Sequence, residues 1–233
     1  MSDDLGILYG VGVGPGDPGL VTLRAVEVIR SVPTVAYPVQ SEGAESRALN
    51  AVRGHLVEGQ ALLPLLMPMT RDAQRLEAAH AAAAQALVKA ASGGRDVACL
   101  ALGDPLFYST FGFMAERFPG RLKVVSGVSA MSAMAAALGL PLAAGNIPTV
   151  VLTGKDQAAL ESALELGASI VILKPRSLSG GSLDLLDEAG AWPRARAVVE
   201  LGGPQEQIIG RLDRAAAAGL PYFAVVWIAP EQA

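Results

Sequence analysis

Three short segments rich in glycine and other small residues contain the groups that could bind a ligand. They are GVGPGDPG at residues 12–19, ALGDPLFYSTFGFM at residues 101–114 and SGVSAMSAMAAALGLP at residues 126–141. Each one follows an apolar run of the kind that forms a buried strand. Such segments expose backbone amide and carbonyl groups and offer few charges. Together they predict a pocket for a neutral or mildly cationic small molecule that is held by main-chain contacts.

The first segment differs from the dinucleotide-binding fingerprint G-x-G-x-x-G, whose last glycine allows close packing of the following helix. Its glycines alternate strictly, and Asp17 stands where the fingerprint needs that last glycine. Pro15 and Pro18 lack the backbone N–H groups that would bind a pyrophosphate. The segment therefore predicts no phosphate site. Taken alone, it is also compatible with a tight turn that needs glycine for backbone reasons only.

The second and third segments follow the fourth and fifth predicted strands. In an open parallel sheet the loops at the carboxyl ends of the strands form the ligand-binding edge, so the three segments are expected to converge. A carboxylate at Asp104 is suited to hold the ribose or amino group of a ligand and favours a nearby cation. The alternative for Asp104 is a turn-forming aspartate that bonds its own backbone, and Asp17 has the same two interpretations.

The composition and the order of elements predict an α/β protein with two α/β domains. Of 233 residues 52% are hydrophobic and 17% are charged, as expected for strands covered by alanine-rich helices. Apolar runs alternate with helical patterns, which indicates βαβ units. The periodicity breaks at residues 138–149, and we therefore predict domains at residues 1–140 and 141–233 with a ligand cleft between them.

The predicted strands and helices can be assigned individually. In the first domain the strands are ILYGVGV, TVAY, ALLPLL, DVACLAL and LKVV, and in the second they are TVVLTG, SIVILK, ARAVVEL and YFAVVWI. Thr22 is expected to cap the first helix. A long alanine-rich helix from Arg71 to Ser92 is expected to stop at Gly93-Gly94.

Several classes of function are disfavoured by composition. A net charge of -4 gives no overall electrostatic reason to bind nucleic acid or an anionic bilayer.

Cys99, the single cysteine, lies in an apolar run and is predicted to be a buried strand residue without a disulfide partner in the chain. Only His55 and His80 are present, without a Cys/His/Asp cluster, so no metal site is predicted. An acidic N-terminus and the lack of a long apolar window predict a cytoplasmic protein.

The three segments resemble the signature segments of the tetrapyrrole methylase family, whose members transfer a methyl group from S-adenosylmethionine. The resemblance covers almost the whole chain, and the strands of the second domain fall in the expected order. It implies two α/β domains with the methyl donor in the cleft, a tetrapyrrole acceptor and a homodimer. One departure is Ser126, since relatives usually carry proline before the glycine that corresponds to Gly127.

Within the family, three details resemble the enzymes that methylate carbon 20 of precorrin-2, or of its cobalt-containing counterpart, in cobalamin synthesis. These details are VAYPVQSEGAESRALNAV, LPLLMPMTRD and GDPLFYSTF. The alternatives are a sibling that methylates a different precorrin carbon, uroporphyrinogen III, diphthine precursors or ribosomal RNA. From another class, the fold could serve as a noncatalytic nucleotide-binding module.

The resemblance also implies roles for individual residues. The methyl donor would be contacted by Pro15, Gly103, Asp104, Phe107, Ser129, Ala130, Leu173 and Tyr222. The acceptor carries acetate and propionate groups, for which the cationic candidates are Arg47, Arg71, Lys174 and Arg176. Asp17 and Tyr108 are further candidates for the acceptor side. Phe107 and Tyr108 would pack on the macrocycle or fill the core, and Tyr108, Glu200 or water would accept the proton that the methylated acceptor loses. Each cation is equally compatible with a solvated surface position.

Overall fold

The computed structural model describes residues 4–70 and 72–231, which divide into two compact units, residues 1–129 and 130–233. Arg71 lies outside the described residues. Each unit is built around one five-stranded sheet with helices, so the predicted α/β class is confirmed. Among the described residues, no helix is long and apolar enough to cross a membrane.

The first unit alternates strands and helices along the chain. Its elements are β1 (Leu8–Gly12), α1 (Leu23–Ser31), β2 (Thr34–Val39), α2 (Arg47–Val52), β3 (Ala61–Leu66), α3 (Ala73–Ala91), β4 (Val97–Ala101), α4 (Phe111–Ala115) and β5 (Leu122–Val125). The sheet has the order β3-β2-β4-β1-β5, and every pair in it is parallel. All five strands therefore end at the same edge, as the alternating pattern predicted.

The three central strands of the first sheet, β2, β4 and β1, are mostly buried, whereas the edge strands β3 and β5 are mostly exposed. Burial on both faces explains why β4 is apolar throughout. In β4, Ala98 and Leu100 face a cluster that includes residues of α1 and α2. Val97 and Cys99 face the opposite cluster, which includes residues of α3 and α4. The side-chain Oγ1 of Thr22 accepts a hydrogen bond from the Ala25 N–H at 3.2 Å, which confirms the predicted cap of α1.

The second unit contains a mixed sheet. Its elements are α5 (Ala130–Leu138), β6 (Thr149–Thr153), α6 (Gln157–Glu165), β7 (Ser169–Leu173), α7 (Gly180–Glu188), β8 (Ala195–Val199), β9 (Gln207–Ile209), α8 (Arg214–Ala218) and β10 (Ala224–Ile228). The strand order is β6-β7-β10-β8-β9. Among the strands that the structure describes in this sheet, β6 and β7 pair in parallel and the other three pairs, β7–β10, β10–β8 and β8–β9, are antiparallel. Strands β7 and β8 therefore point the same way and end at the same edge.

Three short elements were not predicted from the sequence pattern. They are α2, α4 and β9, with six, five and three residues. Each is shorter than the roughly 11 to 18 residues over which apolar periodicity identifies an element. In residues 4–70 and 72–231, four single turns of 3-10 helix, at residues 18–20, 53–55, 175–177 and 192–194, connect the longer elements.

Burial of Cys99 leads to a first prediction. Because Cys99 is fully buried in β4, desolvation raises the pKa of its thiol from 9.0 to about 12. The thiolate is the reactive form, so we expect no alkylation by iodoacetamide in the folded protein at about pH 8.5 and full alkylation in guanidinium. Because the unfolded thiol ionises first, the free energy of unfolding should fall as pH rises above about 9. Rapid alkylation of the folded protein, measured by mass spectrometry against Cys99→Ala, would contradict this burial.

Candidate active site

The predicted ligand-binding segments of the first unit follow three neighbouring strands. Strands β4, β1 and β5 lie side by side in that order, with Gly12 opposite Ala101 and Val11 opposite Val125. Because the strands are parallel, the loops that follow them leave the sheet at one edge. We call residues 13–17, 102–107 and 126–129 the first, second and third loops. The convergence that the sequence predicted is confirmed.

The first and second loops are joined by backbone hydrogen bonds beyond the end of the sheet. The Gly14 N–H donates to the Gly103 oxygen at 3.3 Å, and the Gly103 N–H donates to the Gly14 oxygen at 2.7 Å. Gly14 has a φ of 75° and Gly103 a φ of 76°, a region that side-chain-bearing residues rarely occupy. Glycine is thus required at this pair by backbone geometry.

The third loop touches the other two through glycine as well. A Cβ atom added to Gly127 would lie 2.1 Å from the Gly103 oxygen, and one added to Gly12 would lie 2.4 Å from the Gly127 nitrogen. Any side chain at either position would therefore force the backbones apart. Gly12, the last residue of β1 before the first loop, thus meets Gly103 of the second loop and Gly127 of the third loop without intervening side chains, and we call this meeting the glycine contact.

Asp104 holds the second loop to the third. Its Oδ1 accepts a hydrogen bond from the Leu106 N–H at 2.9 Å, and its Oδ2 accepts one from the Gly127 N–H at 3.1 Å. Asp104 therefore forms the turn that the sequence suggested. Its carboxylate also bonds the third loop, at a residue 23 positions further along the chain. A ligand-binding role for this half-buried carboxylate stays a prediction. Nothing in the local sequence signalled the bond to Gly127.

Asp17 caps a short 3-10 helix. Its Oδ1 accepts a hydrogen bond from the Gly19 N–H at 2.7 Å, at the start of Pro18–Leu20. Asp17 is exposed, whereas Pro15 in the same loop is buried. The turn-forming interpretation is again realised, and contact of either residue with a ligand stays a prediction.

The remaining candidates of the first unit lie close to the same edge. Phe107 is half-buried, and its ring meets that of Tyr108 edge-on at 5.1 Å. Tyr108 has a left-handed backbone with a φ of 51° and is 46% exposed, so it does not fill the core. Ser129 is half-buried at the end of the third loop, directly before α5, which begins with Ala130. Arg47 begins α2, the helix that follows β2.

The candidates of the second unit share the edge at which β7 and β8 end. Val225 of β10 pairs with Leu173, and Ala224 pairs with Val199, so the residues before β10 lie beside the ends of the other two strands. Leu173 is buried, and Tyr222 is half-buried. The Lys174 Nζ lies 5.7 Å from the centroid of the Tyr222 ring. Arg176 is exposed in the adjacent 3-10 helix.

The charge of the three loops suits a cation better than an anion. Residues 12–20, 101–110 and 126–130 contain two aspartates and no lysine or arginine. The described residues contain no group of three His, Cys, Asp or Glu side chains that could hold a metal ion. The loops can therefore offer carbonyl oxygens, a few N–H groups and negative charge to a small ligand.

The glycine contact gives a direct prediction. Gly127→Ala should push the third loop away from the Gly103 oxygen. It should therefore weaken binding of S-adenosylhomocysteine, the demethylated product of the donor that the family resemblance implies, at least tenfold as measured by calorimetry. Gly54→Ala is the matched control, because Gly54 lies in a 3-10 helix and an added Cβ would meet nothing within 4 Å. It should leave the affinity unchanged. Wild-type affinity in Gly127→Ala would contradict a binding role for the glycine contact.

Comparison with known proteins supports the resemblance. The family model for tetrapyrrole (corrin/porphyrin) methylases matches residues 7–216. A probable cobalt-precorrin-2 C(20)-methyltransferase of Methanocaldococcus jannaschii is 36% identical over 176 residues, which is 74% of each chain. A precorrin-2 C(20)-methyltransferase of a Sinorhizobium species is 32% identical over 237 residues, or 96% of this chain and 95% of the relative.

A solved structure shares the fold. The crystal structure of uroporphyrin-III C-methyl transferase from Thermus thermophilus, complexed with S-adenyl homocysteine, has a TM-score of 0.65 and 19% identity and covers 96% of this chain and 97% of that one. The likeness confirms the predicted fold. With the family match over most of the sequence, it follows that this chain belongs to the tetrapyrrole methylase family.

Proposed function

We propose that this protein transfers the methyl group of S-adenosylmethionine to carbon 20 of precorrin-2, or of its cobalt-containing counterpart, in cobalamin biosynthesis. Two relatives that bear this activity in their names match most of the chain, and they support the choice of acceptor. The observation that carries the proposal is the glycine contact, because it presents three backbones without side chains at one edge.

The first unit fits a cationic thio-nucleoside. When bound, S-adenosylmethionine supplies an activated methyl group on a positively charged sulfur. Backbone carbonyl oxygens and the carboxylates near the loops provide a favourable potential for that charge. We propose that Pro15, Gly103, Asp104, Phe107, Ser129 and Ala130 contact the donor, with Leu173 and Tyr222 as further contacts. Asp104 acts in this proposal mainly by holding the second and third loops together.

In this reaction the protein has to position the methyl donor and the acceptor, and it does not itself form a covalent bond with either. Methyl transfer forms a carbon–carbon bond at carbon 20, breaks the carbon–sulfur bond and releases one proton from the acceptor. The nucleophilic carbon is already electron-rich through conjugation to pyrrole nitrogen. The protein must therefore hold the two carbons about 3 to 3.5 Å apart, in line with the sulfur, and exclude water.

The acceptor requires cations, since its rim carries acetate and propionate groups. We propose Arg47, Arg71, Lys174 and Arg176 as partners of these carboxylates, and Asp17 and Tyr108 as further residues of the acceptor side. Arginine is suited to bidentate carboxylate pairing. The homodimer stays a prediction from the family resemblance. The cytoplasmic location and the domain boundary near residue 140 stay predictions from the sequence pattern.

Two measurements test this function. Calorimetry with S-adenosylhomocysteine should give saturable one-site binding, and incubation with precorrin-2 and a ¹³C-methyl-labelled donor should place the label on carbon 20 in the NMR spectrum. A folded protein that does not bind S-adenosylhomocysteine would favour the noncatalytic module. Label on another carbon would keep the family and overturn the acceptor position.

Asp104 provides a second test at the level of one side chain. Asp104→Ala leaves the Leu106 and Gly127 N–H groups without their carboxylate, so the second and third loops should separate. We expect at least a tenfold rise in the Kd for S-adenosylhomocysteine, because the ligand would then have to bring the two loops together at a cost of about 1.4 kcal/mol or more. The melting temperature should fall by only a few degrees.

The control for Asp104 is Asp213→Ala. Asp213 also accepts a backbone hydrogen bond, from the Ala216 N–H at 2.8 Å, as the cap of α8. Its loss should lower the melting temperature by a similar amount, since a cap contributes about 1 kcal/mol, and leave the Kd unchanged. If Asp104→Ala also loses stability without losing affinity, the carboxylate serves the fold and not the ligand.

A further inference from the structure

Gly10 lies in the middle of β1, a position where glycine weakens a strand. It is buried, and it pairs with Cys99 of β4 and Val124 of β5. Gly10 is not among the described glycines that have a positive φ, so the backbone conformation does not require glycine here. A glycine inside a strand often marks a place where another group approaches closely. The choice of residue is therefore explained by a neighbour and not by the strand itself.

The close neighbour of Gly10 is the ring of Phe111, the first residue of α4. A Cβ atom added to Gly10 would lie 2.4 Å from both the Cε1 and the Cζ atoms of this ring. Phe111 is 1% exposed and belongs to the cluster that also contains Leu8 and Cys99. Because protein interiors are close-packed, the ring cannot move aside without displacing its neighbours. The ring thus fits against β1 only because residue 10 has no side chain.

Phe111 packs on β1 next to the glycine contact. Side chains along a strand alternate between its two faces, so Gly10 and Gly12 share one face of β1. At about 3.3 Å per residue, these two glycines are roughly 6.6 Å apart along the strand. Gly10 accommodates the ring that begins α4, and Gly12 accommodates the backbone of the third loop. The two contacts therefore occupy neighbouring positions on the same face.

The second loop runs between the glycine contact and Phe111. Near its start, Gly103 exchanges backbone hydrogen bonds with Gly14 of the first loop. After its end, only residues 108–110 separate the loop from Phe111. The Phe111 N–H donates a hydrogen bond to the Ser109 Oγ at 3.2 Å, which ties this short connection to the helix. A shift of the Phe111 ring would therefore be transmitted to residues 102–107.

The other described attachments of α4 to α3 involve exposed groups. Arg117, just beyond α4, forms an ion pair with Glu77 of α3, and both side chains are exposed. The exposed ring of Phe113 stacks on His80 with 4.6 Å between the centroids. Exposed ion pairs contribute little to stability, whereas burial of a whole aromatic ring contributes substantially. Phe111, the buried residue of α4 nearest in sequence to the second loop, is the stronger anchor at this end of the helix.

We infer that Phe111, packed on Gly10, is a positioning residue that fixes the second loop in the conformation that binds the methyl donor. This inference rests on the proposed function. In this assignment Phe111 does not touch the ligand and acts through residues 102–107. The ring and the missing side chain at Gly10 match each other in size. A change at one of the two positions should therefore be compensated by a change at the other.

The test is a double-mutant cycle of Gly10→Ala and Phe111→Leu, with binding of S-adenosylhomocysteine measured by calorimetry. Gly10→Ala pushes the ring outward, and Phe111→Leu leaves a gap beside β1. Leucine lacks the Cε1 and Cζ atoms, which are the two atoms nearest to the added Cβ. We expect each single variant to raise the Kd at least fivefold. The double variant should return to within twofold of the wild-type Kd.

Hydrogen exchange of the unliganded protein provides a readout that does not depend on the ligand. Gly10→Ala should speed exchange at residues 102–107, because a displaced loop loses the bond from the Gly103 N–H to the Gly14 oxygen. The double variant should restore slow exchange there. A residue that only stabilises the core would change the melting temperature without this local effect.

The matched control is Gly120→Ala, which makes a similar clash elsewhere in the same cluster. A Cβ atom added to Gly120 would lie 2.7 Å from the Cε1 atom of Phe118, a buried member of the cluster that holds Phe111. Gly120 comes shortly before β5, which begins at Leu122, so it lies at the edge of the sheet opposite to the three loops. This variant should lower the melting temperature as Gly10→Ala does and leave the Kd unchanged.

The inference is overturned if Gly10→Ala binds S-adenosylhomocysteine as wild type does, if Gly120→Ala loses as much affinity, or if a folded double variant is not rescued. Should Gly10→Ala not fold, Phe111→Leu decides alone, since it adds no atoms to the core. A raised Kd with faster exchange at residues 102–107 supports the inference, and wild-type values overturn it. Failure of wild type to bind S-adenosylhomocysteine would instead remove the proposed function, while the exchange measurement would still test the position of the second loop.

Discussion

The candidate site depends on one steric constraint, the absence of side chains where three loops meet. An added Cβ on Gly127 would lie 2.1 Å from the Gly103 oxygen, well inside van der Waals contact. The loops can meet because β4, β1 and β5 are parallel neighbours. Their backbones can touch because Gly12, Gly103 and Gly127 carry no side chains. Asp104 then fixes the spacing between the second and third loops. A single methyl group at this point would alter all three loops together.

The two units differ in the residues that adopt positive φ angles after their strands. In the first unit the three loops present backbone atoms, and the positive φ angles there belong to glycine, as at Gly14 and Gly103. In the second unit Lys174 and Glu200 adopt the same unfavourable region while carrying charged side chains. Glycine leaves the backbone of the first unit uncovered, whereas Lys174 and Glu200 add charge directly after β7 and β8.

The sequence predicted the buried strands and the meeting of the three loops, because parallel strands covered on both faces leave a continuous apolar run. It did not predict that β10 runs antiparallel to β7 and β8, since β10 is also buried on both faces and its apolar run looks like that of a parallel strand. The bond from Gly127 to Asp104 links distant segments and leaves no local signal. The left-handed Lys174 was also hidden, because the following Pro175 favours an extended residue.

Hydrogen exchange of the backbone amides is the sharpest test of a shared backbone site, because it reports on the N–H groups of all three loops at once. Exchange is measured by mass spectrometry with and without saturating S-adenosylhomocysteine. The ligand should slow exchange at residues 13–17, 102–107 and 126–129 together, with little change in the edge strand β3. Protection confined to other parts of the chain, or to one of the three loops alone, would contradict a shared backbone site.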